Sequence, residues 1–380
     1  MKTELTVPAV HELLHAYGRR VERAADFFGA DIPDYLETPT GPWKVNGGWT
    51  EGFWPGLLWR LQAETGSERL KGHAHRTTCQ VAARHAETDD HDLGFVFLTS
   101  CVLEHELTGE AARLPAALAA AKRLAARYRG DGRYIPAHGP IDGPEAGFAI
   151  IDTVMNLPLL NWAAELTGQE ELAAIAKNTA ATIAREHVRA NGSSCQVLRL
   201  DPATGRTLRR EAVMAATVDS CWARGQAWGV HGFARMAQLL RHPEFQAVSE
   251  TMADYFLSRL PEDGLVFHDL DDPARPAVPR DTSAQAIAAV GMLILAEMGA
   301  GPDRQRWCAA AERLVVPMLK QCLVETGPVA HPPRGLLGQA CKSLRKQQGI
   351  VCEMVFADYY LVEALQRWRR LNAPAVPGVR

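Results

Sequence analysis

The chain has 380 residues, of which 41 are Lys or Arg and 44 are Asp or Glu, for a formal charge of −3. That balance excludes a general nucleic-acid binder and a polybasic membrane anchor. It leaves room for a small acidic substrate, which one or two placed arginines suffice to hold. Apolar residues make up 47% of the chain, enough for a large core, and no apolar run reaches membrane-spanning length. Nine Trp serve either that core or a wall facing a sugar.

The opening stretch has no apolar segment of the secretory kind. Eight scattered Cys form no CxxC pair. They read as reduced, mostly buried thiols, and the expected compartment is the cytoplasm. Residues His11, Glu12 and His15 match HExxH, the zinc-protease pattern, with both His on one helix face and Glu12 available as a base. Gly18 extends the match toward the longer metzincin form, but Val21 stands where a third His belongs. The alternative is an amphipathic helix whose His and Glu are solvated. Next comes a glycine-bracketed aromatic cluster, Gly47 to Gly56, with Trp49 expected at a pocket wall and Trp54 packed.

The run Asp89-Asp90-His91-Asp92-Leu93-Gly94-Phe95 follows. With His73, His75 or His85 it invites a metal reading, but no recognised ligand spacing supports one. Asp92 is otherwise a helix cap, a solvated acid or a working carboxylate, and Gly94 permits close backbone approach. Helical spacing then predicts a helix over 115–128, with Pro115 at its start. Asp152 follows the run Phe148-Ala149-Ile150-Ile151, which has no polar side chain. Desolvation there raises a carboxylic pKa, as a general acid needs. Pro158 places a helix start or kink just beyond, so an N-cap role for Asp152 is the alternative.

Further helices are predicted over 170–188, 222–240, 245–260, 283–298, 305–324 and 355–369. Residues 196–200, followed by Asp201-Pro202-Ala203-Thr204-Gly205, read as a small hairpin, and 264–268 as a short extended piece. Arg224 is suited to a carboxylate, whose two oxygens match its fork, or to a structural ion pair. Trp222 and Trp228 lie six residues apart, roughly 600° around a helix, so they face different ways. Trp228 is the one expected in the pocket. Lys342, Ser343, Arg345 and Lys346 form a basic stretch, either a solvated face or a contact for an anionic group such as a sulfate.

Polar or aromatic clusters precede apolar helices near Trp49, Asp92, Asp152, Trp222, Asp281 and Glu353, at intervals on the order of 40 to 70 residues. Six such units predict six inner and six outer helices closed into a ring, with the inner starts meeting at one mouth. No linker interrupts it, so one domain over 1–380 is expected.

Six segments, in order, resemble glycoside hydrolase family 88, the unsaturated glucuronyl hydrolases. They are 49–58 (WTEGFWPGLL), 91–95 (HDLGF), 151–162 (IDTVMNLPLLNW), 222–232 (WARGQAWGVHG), 280–284 (RDTSA) and 358–365 (DYYLVEAL). The resemblance implies an all-α (α/α)6 barrel without metal or cofactor. It implies an enzyme that releases a 4,5-unsaturated uronic acid from lyase-generated oligosaccharides by hydrating its double bond. It assigns Asp152 as general acid/base and Asp92 as the second essential carboxylate. Trp49, His91, His138, Gln196, Met214, Arg224 and Trp228 then surround the sugar. Of these, His138 replaces the family's usual Trp, Gln196 its His and Met214 its Gln, while Phe356-Ala357 replaces Trp-Gly. Those departures bear on which sugar is taken. They also leave open a related toroidal uronide or rhamnogalacturonyl hydrolase, or a non-catalytic sugar-binding relative. The sequence does not give an oligomeric state.

Overall fold

The computed structural model describes residues 5–37, 41–85, 90–325 and 332–374. Within them the chain is helical, with outer and inner helices alternating along the sequence. The outer set is α1 (Val7–Phe28), α3 (Glu68–Arg84), α6 (Leu114–Ala126), α8 (Glu170–His187), α10 (Pro243–Ser258) and α12 (Gly301–Gln321). The inner set begins with α2 (Phe53–Thr65). Then come α4 (Leu93–Phe97) and α5 (Leu103–Thr108), one helix interrupted by a π-helical turn at Leu98–Val102. The others are α7 (Pro158–Thr167), α9 (Ala223–Leu240), α11 (Thr282–Met298) and α13 (Val355–Asn372).

Composition decides the layer. A helix apolar on every side has to be surrounded. Thus α11, built from Ala, Ile, Leu, Val and Gly, buries 15 of its 17 residues, whereas α3 buries six of 17. The inner helices pack in the order α2, α4–α5, α7, α9, α11, α13, and α13 returns to α2. This is the (α/α)6 ring that the six-unit rhythm predicts. No helix among the described residues is long and apolar enough to cross a membrane. All eight Cys are free and six are buried.

The predicted helix ends shift by a few residues. The α10 and α12 starts move upstream because Pro243 and Pro302 sit in their first turns, where a missing N–H costs nothing. Strands β1 (Pro33–Leu36), β2 (Lys44–Val45) and β6 (Glu353–Met354) form one small antiparallel sheet. Strands β3 (Phe148–Ile150), β4 (Val197–Leu200) and β5 (Thr207–Glu211) form another, which contains the predicted hairpin. The expected extended piece at 264–268 is not a strand. Its backbone makes an isolated bridge from Phe267 to Arg280, and the His268 carbonyl accepts the Ala223 N–H at 3.0 Å.

The ring closes through charge as well as packing. Arg60 on α2 meets Glu363 on α13 at 2.9 Å, and its guanidinium lies 4.7 Å over the Tyr359 ring. Burial pushes the Glu363 carboxyl up, but Arg60 and Arg367 outweigh it and hold it at about 2. Removing one partner of a buried pair strands the other. Glu363→Ala is therefore expected to cost about 3–5 kcal/mol in chemical denaturation at pH 7. A loss below about 1 kcal/mol would show that packing alone closes the ring.

Candidate active site

The starts of all six inner helices meet. Trp49, in the 3-10 turn before α2, lies with its ring 5.2 Å from Phe95 on α4 and 5.5 Å from Phe356 on α13. Phe356 in turn lies 5.5 Å from the guanidinium of Arg224 on α9. Arg224 bonds Asp281, the residue before α11, at 2.7 Å. The field of Arg224 reaches Asp152, just ahead of α7, and the field of Asp152 reaches Asp92, just ahead of α4.

Neither carboxylate is a helix cap. Asp92 stands at the N-cap position of α4, yet its side chain makes no capping bond. Asp152 lies in a 3-10 turn, Ile151–Met155, and the N-cap of α7 is Leu157. By contrast Asp281 is a true cap, accepting the Ser283 N–H at 3.1 Å. Strand β3 aims Asp152. It pairs with β4 through Ile150 and Val197, and the Ile151 N–H donates to the Gln196 carbonyl at 3.1 Å.

Burial pushes Asp152 up to about 6, while the charge of Arg224 pulls against it. Its Oδ1 is buried and has no hydrogen-bond partner among the described residues. Burial also pushes Asp92 well above the usual carboxylate range, and the negative charges of Asp90 and Asp152 push it further. Two such groups titrate as a pair. Between their two steps they hold one proton.

His91 is wholly buried. Its Nδ1 lies 2.9 Å from the Thr153 hydroxyl and its Nε2 3.2 Å from Asp92 Oδ1. Burial, then His138 and Arg127, drives its pKa well down, so the ring is neutral. It therefore packs behind Asp92 rather than facing open space. His138 is exposed, with its ring 5.6 Å from His91 and stacked at 5.4 Å on Phe148.

Arg224 makes the structural ion pair that stood beside a substrate contact as the alternative. It is 3% exposed. Its Nη1 donates to Asp281, Ser283 and the Cys341 carbonyl, and its Nη2 donates to the Lys342 carbonyl at 2.7 Å. The structural ion pair is thus present. Its Nε–H is nevertheless buried and unmatched among the described residues, which in a packed interior marks a place for a further acceptor. Trp228 is wholly buried, 4.8 Å from Phe95 and 5.6 Å from Tyr360. It forms the barrel's aromatic plug rather than an open wall. Trp222 stacks 4.8 Å over Arg224, and Trp49 is half-buried. Trp54 is packed as expected.

Gln196 is not free either. Its Oε1 accepts the N–H groups of Val213, Met214 and Ala215 at 3.2, 2.6 and 3.3 Å. Met214 is half-buried, with Sδ 3.5 Å from the Ser343 hydroxyl. In the basic stretch, Lys342 is consumed by an ion pair with Asp34, while Arg345 and Lys346 are exposed.

The metal readings find no support in the geometry. His11 and His15 share a face of α1, with rings 4.4 Å apart. Yet α1 is an outer helix, and His11 meets Arg369 in the last turn of α13, at the far end from the mouth. Among the described residues no cluster of three metal-ligating side chains accompanies them. His73, His75 and His85 pair separately with Asp26, Glu104 and Glu51. Asp89 lies outside the described residues.

Three contributors carry no role in the sequence reading. Thr153 and Asn156 sit inside a quoted motif, but nothing in the spacing says which way they point. His268 is buried, with Nδ1 3.9 Å from Asp281, and comes from the segment read only as extended.

Residues 23–321 match the model of Glycosyl Hydrolase Family 88. The chain is 35% identical over 331 residues to the unsaturated glucuronyl hydrolase of Bacillus sp. strain GL1, covering 86% of this chain and 87% of that protein. The crystal structure of that enzyme superposes with a TM-score of 0.87 at 33% identity, over 93% of this chain and 96% of that one. The chain is also 31% identical over 373 residues to the unsaturated chondroitin disaccharide hydrolase of Streptococcus agalactiae, covering 96% of this chain and 92% of that protein. A mutant unsaturated glucuronyl hydrolase from the same species, complexed with dGlcA-GalNAc6S, superposes with a TM-score of 0.81 at 30% identity, over 96% and 92% of the two chains.

The raised Asp152 pKa is also a stability statement. Between about pH 4 and pH 6 the folded protein keeps a proton that the unfolded chain has released, so stability falls as pH rises through that window. The cost persists above it. Asp152→Asn removes the charge and is expected to gain roughly 2–3 kcal/mol at pH 7.5 and nothing near pH 4. Thermal melts at the two pH values check this; an unchanged or lower melting temperature at pH 7.5 would contradict it.

Proposed function

Because this chain belongs to glycosyl hydrolase family 88, as a glycoside hydrolase of the unsaturated glucuronyl hydrolase type, we propose that it removes 4,5-unsaturated uronic acids from oligosaccharides of glycosaminoglycan origin. The single observation that carries the reading is the pair of uncapped carboxylates, Asp92 and Asp152, brought from separate inner helices to one mouth beside Arg224.

The substrate is an enol ether conjugated to a carboxylate. Asp152 donates its proton to C4, which leaves oxocarbenium character at C5. Water adds at C5 and returns a proton to Asp152. The resulting hemiketal opens by breaking the C5–ring-oxygen bond, and the saccharide at C1 is then expelled. No external oxidant or reductant is needed, and the acid is regenerated. Ionised Asp92 stabilises the positive charge and holds ring hydroxyls.

Arg224 links binding to chemistry in this scheme. In the empty site it pulls negative charge onto Asp152. A substrate carboxylate at its unmatched Nε–H offsets that pull. The proton of the pair then moves to Asp152, where it is needed, and the charge moves to Asp92. Trp49, which is half-buried, supplies an apolar face for the sugar. His138, Arg345 and Lys346 are exposed and suited to the leaving saccharide, including a sulfated one.

Unsaturated disaccharides from chondroitin, hyaluronan, heparin and gellan-type lyases, offered in turn, test the reading through loss of the conjugated ultraviolet absorbance. At least one is expected to be turned over, with kcat/KM declining below an apparent pKa near 6 as both acids become protonated. Asp152→Asn is expected to lower kcat by about 10²–10⁴. No turnover with any of them, or full activity in Asp152→Asn, would overturn the assignment.

A further inference from the structure

Asn156 ends the 3-10 turn that carries Asp152, four residues downstream of it. It is wholly buried. Its Oδ1 accepts the N–H of Phe95 at 2.9 Å, and Phe95 lies on the helix that Asp92 begins. Nothing can intervene between the two segments. A Cβ on Gly94 would stand 2.3 Å from Asn156 Cα and 2.7 Å from its Oδ1. The sequence fits that contact, because glycine is the residue that lets two backbones approach so closely.

The amide's other half is left over. Nδ2 is buried and completes no hydrogen bond among the described residues. It faces the Asp92 carboxylate and favours its charged form. The groups around Asp92 otherwise oppose that charge or are neutral. Asp90 and His91 lie on its own loop, the first an anion and the second an uncharged ring. Asp152 faces it from the 3-10 turn as a second anion. Arg224 on α9 acts on Asp152 instead, and Arg127 and His138 act on His91.

We propose that Asn156 is a positioning residue: it holds the two carboxylate-bearing segments in register and selects Asp92 as the group that carries negative charge during the reaction. This rests on the reading above, in which Asp152 must hold the proton while Asp92 is ionised. An amide N–H aimed at one carboxylate of a coupled pair favours ionisation there, and so favours the proton on the other.

Asn156→Asp and Asn156→Ala separate this from a structural role. Asn156→Asp is nearly isosteric and keeps the Oδ1 acceptor for Phe95, but replaces the donor with a further anion. Both variants are assayed as full-length protein for kcat and KM between pH 5 and pH 9, on whichever unsaturated disaccharide the wild type turns over. The expected result is a fall in kcat at pH 7 of about tenfold or more, with KM changed less than threefold. The acid limb of the kcat profile, set by Asp92 in the loaded enzyme, moves up by about one pH unit, and the alkaline limb, set by Asp152, stays in place. If Asn156→Ala does not fold, Asn156→Asp decides alone. Limbs that stay put in a folded variant, whether kcat holds or falls evenly at every pH, would overturn the proposal while leaving the hydrolase assignment standing. A wild type that turns over none of the disaccharides would overturn both.

Discussion

The buried pairing of Arg224 with Asp281 sets the mouth of the ring. A guanidinium removed from water costs several kcal/mol unless its donors are met. Here it is met by a carboxylate that also caps α11, and by two main-chain carbonyls, of Cys341 and Lys342. Those carbonyls belong to a segment with few regular elements of its own. It is held from the other side by Asp358, whose carboxylate accepts the N–H groups of Leu336 and Leu337. One buried cation therefore ties α9 to α11 and, through the 336–342 segment, to α13. It also places a fixed positive charge beside Asp152.

That charge explains why two half-buried acids behave differently. Burial pushes both up, since it penalises the ionised form of each. Asp152 has a cation near it; Asp92 has two further anions. In the empty site Arg224 favours the ionised form of Asp152, the acid that the proposed reaction needs protonated. The functional reading resolves this without moving any residue. A uronate carboxylate answering Arg224 withdraws the stabilisation of ionised Asp152, so the substrate's own charge arms the acid. The empty enzyme and the loaded one then differ by the position of one proton.

The sequence carried the architecture well, for a physical reason. Each inner helix carries a broad apolar face, α11 nearly all round, and each is preceded by a polar or aromatic cluster where its unsatisfied N–H groups lie. The clusters named near Trp49, Asp92, Asp152, Trp222, Asp281 and Glu353 all stand at inner-helix starts. The acids were legible from the apolar run before Asp152 and from the motifs that hold them, while a cap role stayed open for each until the structure showed that neither side chain makes a capping bond. The missing parts were those that depend on direction. For Arg224 the sequence left a substrate carboxylate and a structural ion pair both open, and the carbonyls that take its Nη2 and share its Nη1 come from more than 100 residues away and carry no side-chain signature. Trp228 was placed in the pocket, yet it is the plug, because its depth in α9 depends on how closely Phe95 and Tyr360 approach. Asn156 lay in plain view inside a motif, and only the contact with Gly94 reveals what it holds.

Gln196 and Met214 belong together in this picture. A Gln side chain at 196 is long enough to reach three successive amides of the 213–215 loop, and it gives them a single buried acceptor. Once it does so, its carbonyl oxygen is no longer available to a sugar. Met214, whose own N–H is one of the three, offers only a thioether in place of an amide. That is a weak acceptor and a polarizable apolar surface. The same sulfur meets Ser343 in the basic segment that also supplies the Lys342 carbonyl to Arg224. Two substitutions thus make one coupled rearrangement of the rim, joined to the segment that clamps the cation but not to Asp92 or Asn156. Recognition of the leaving saccharide can vary there while the proton-sharing pair beneath keeps its geometry.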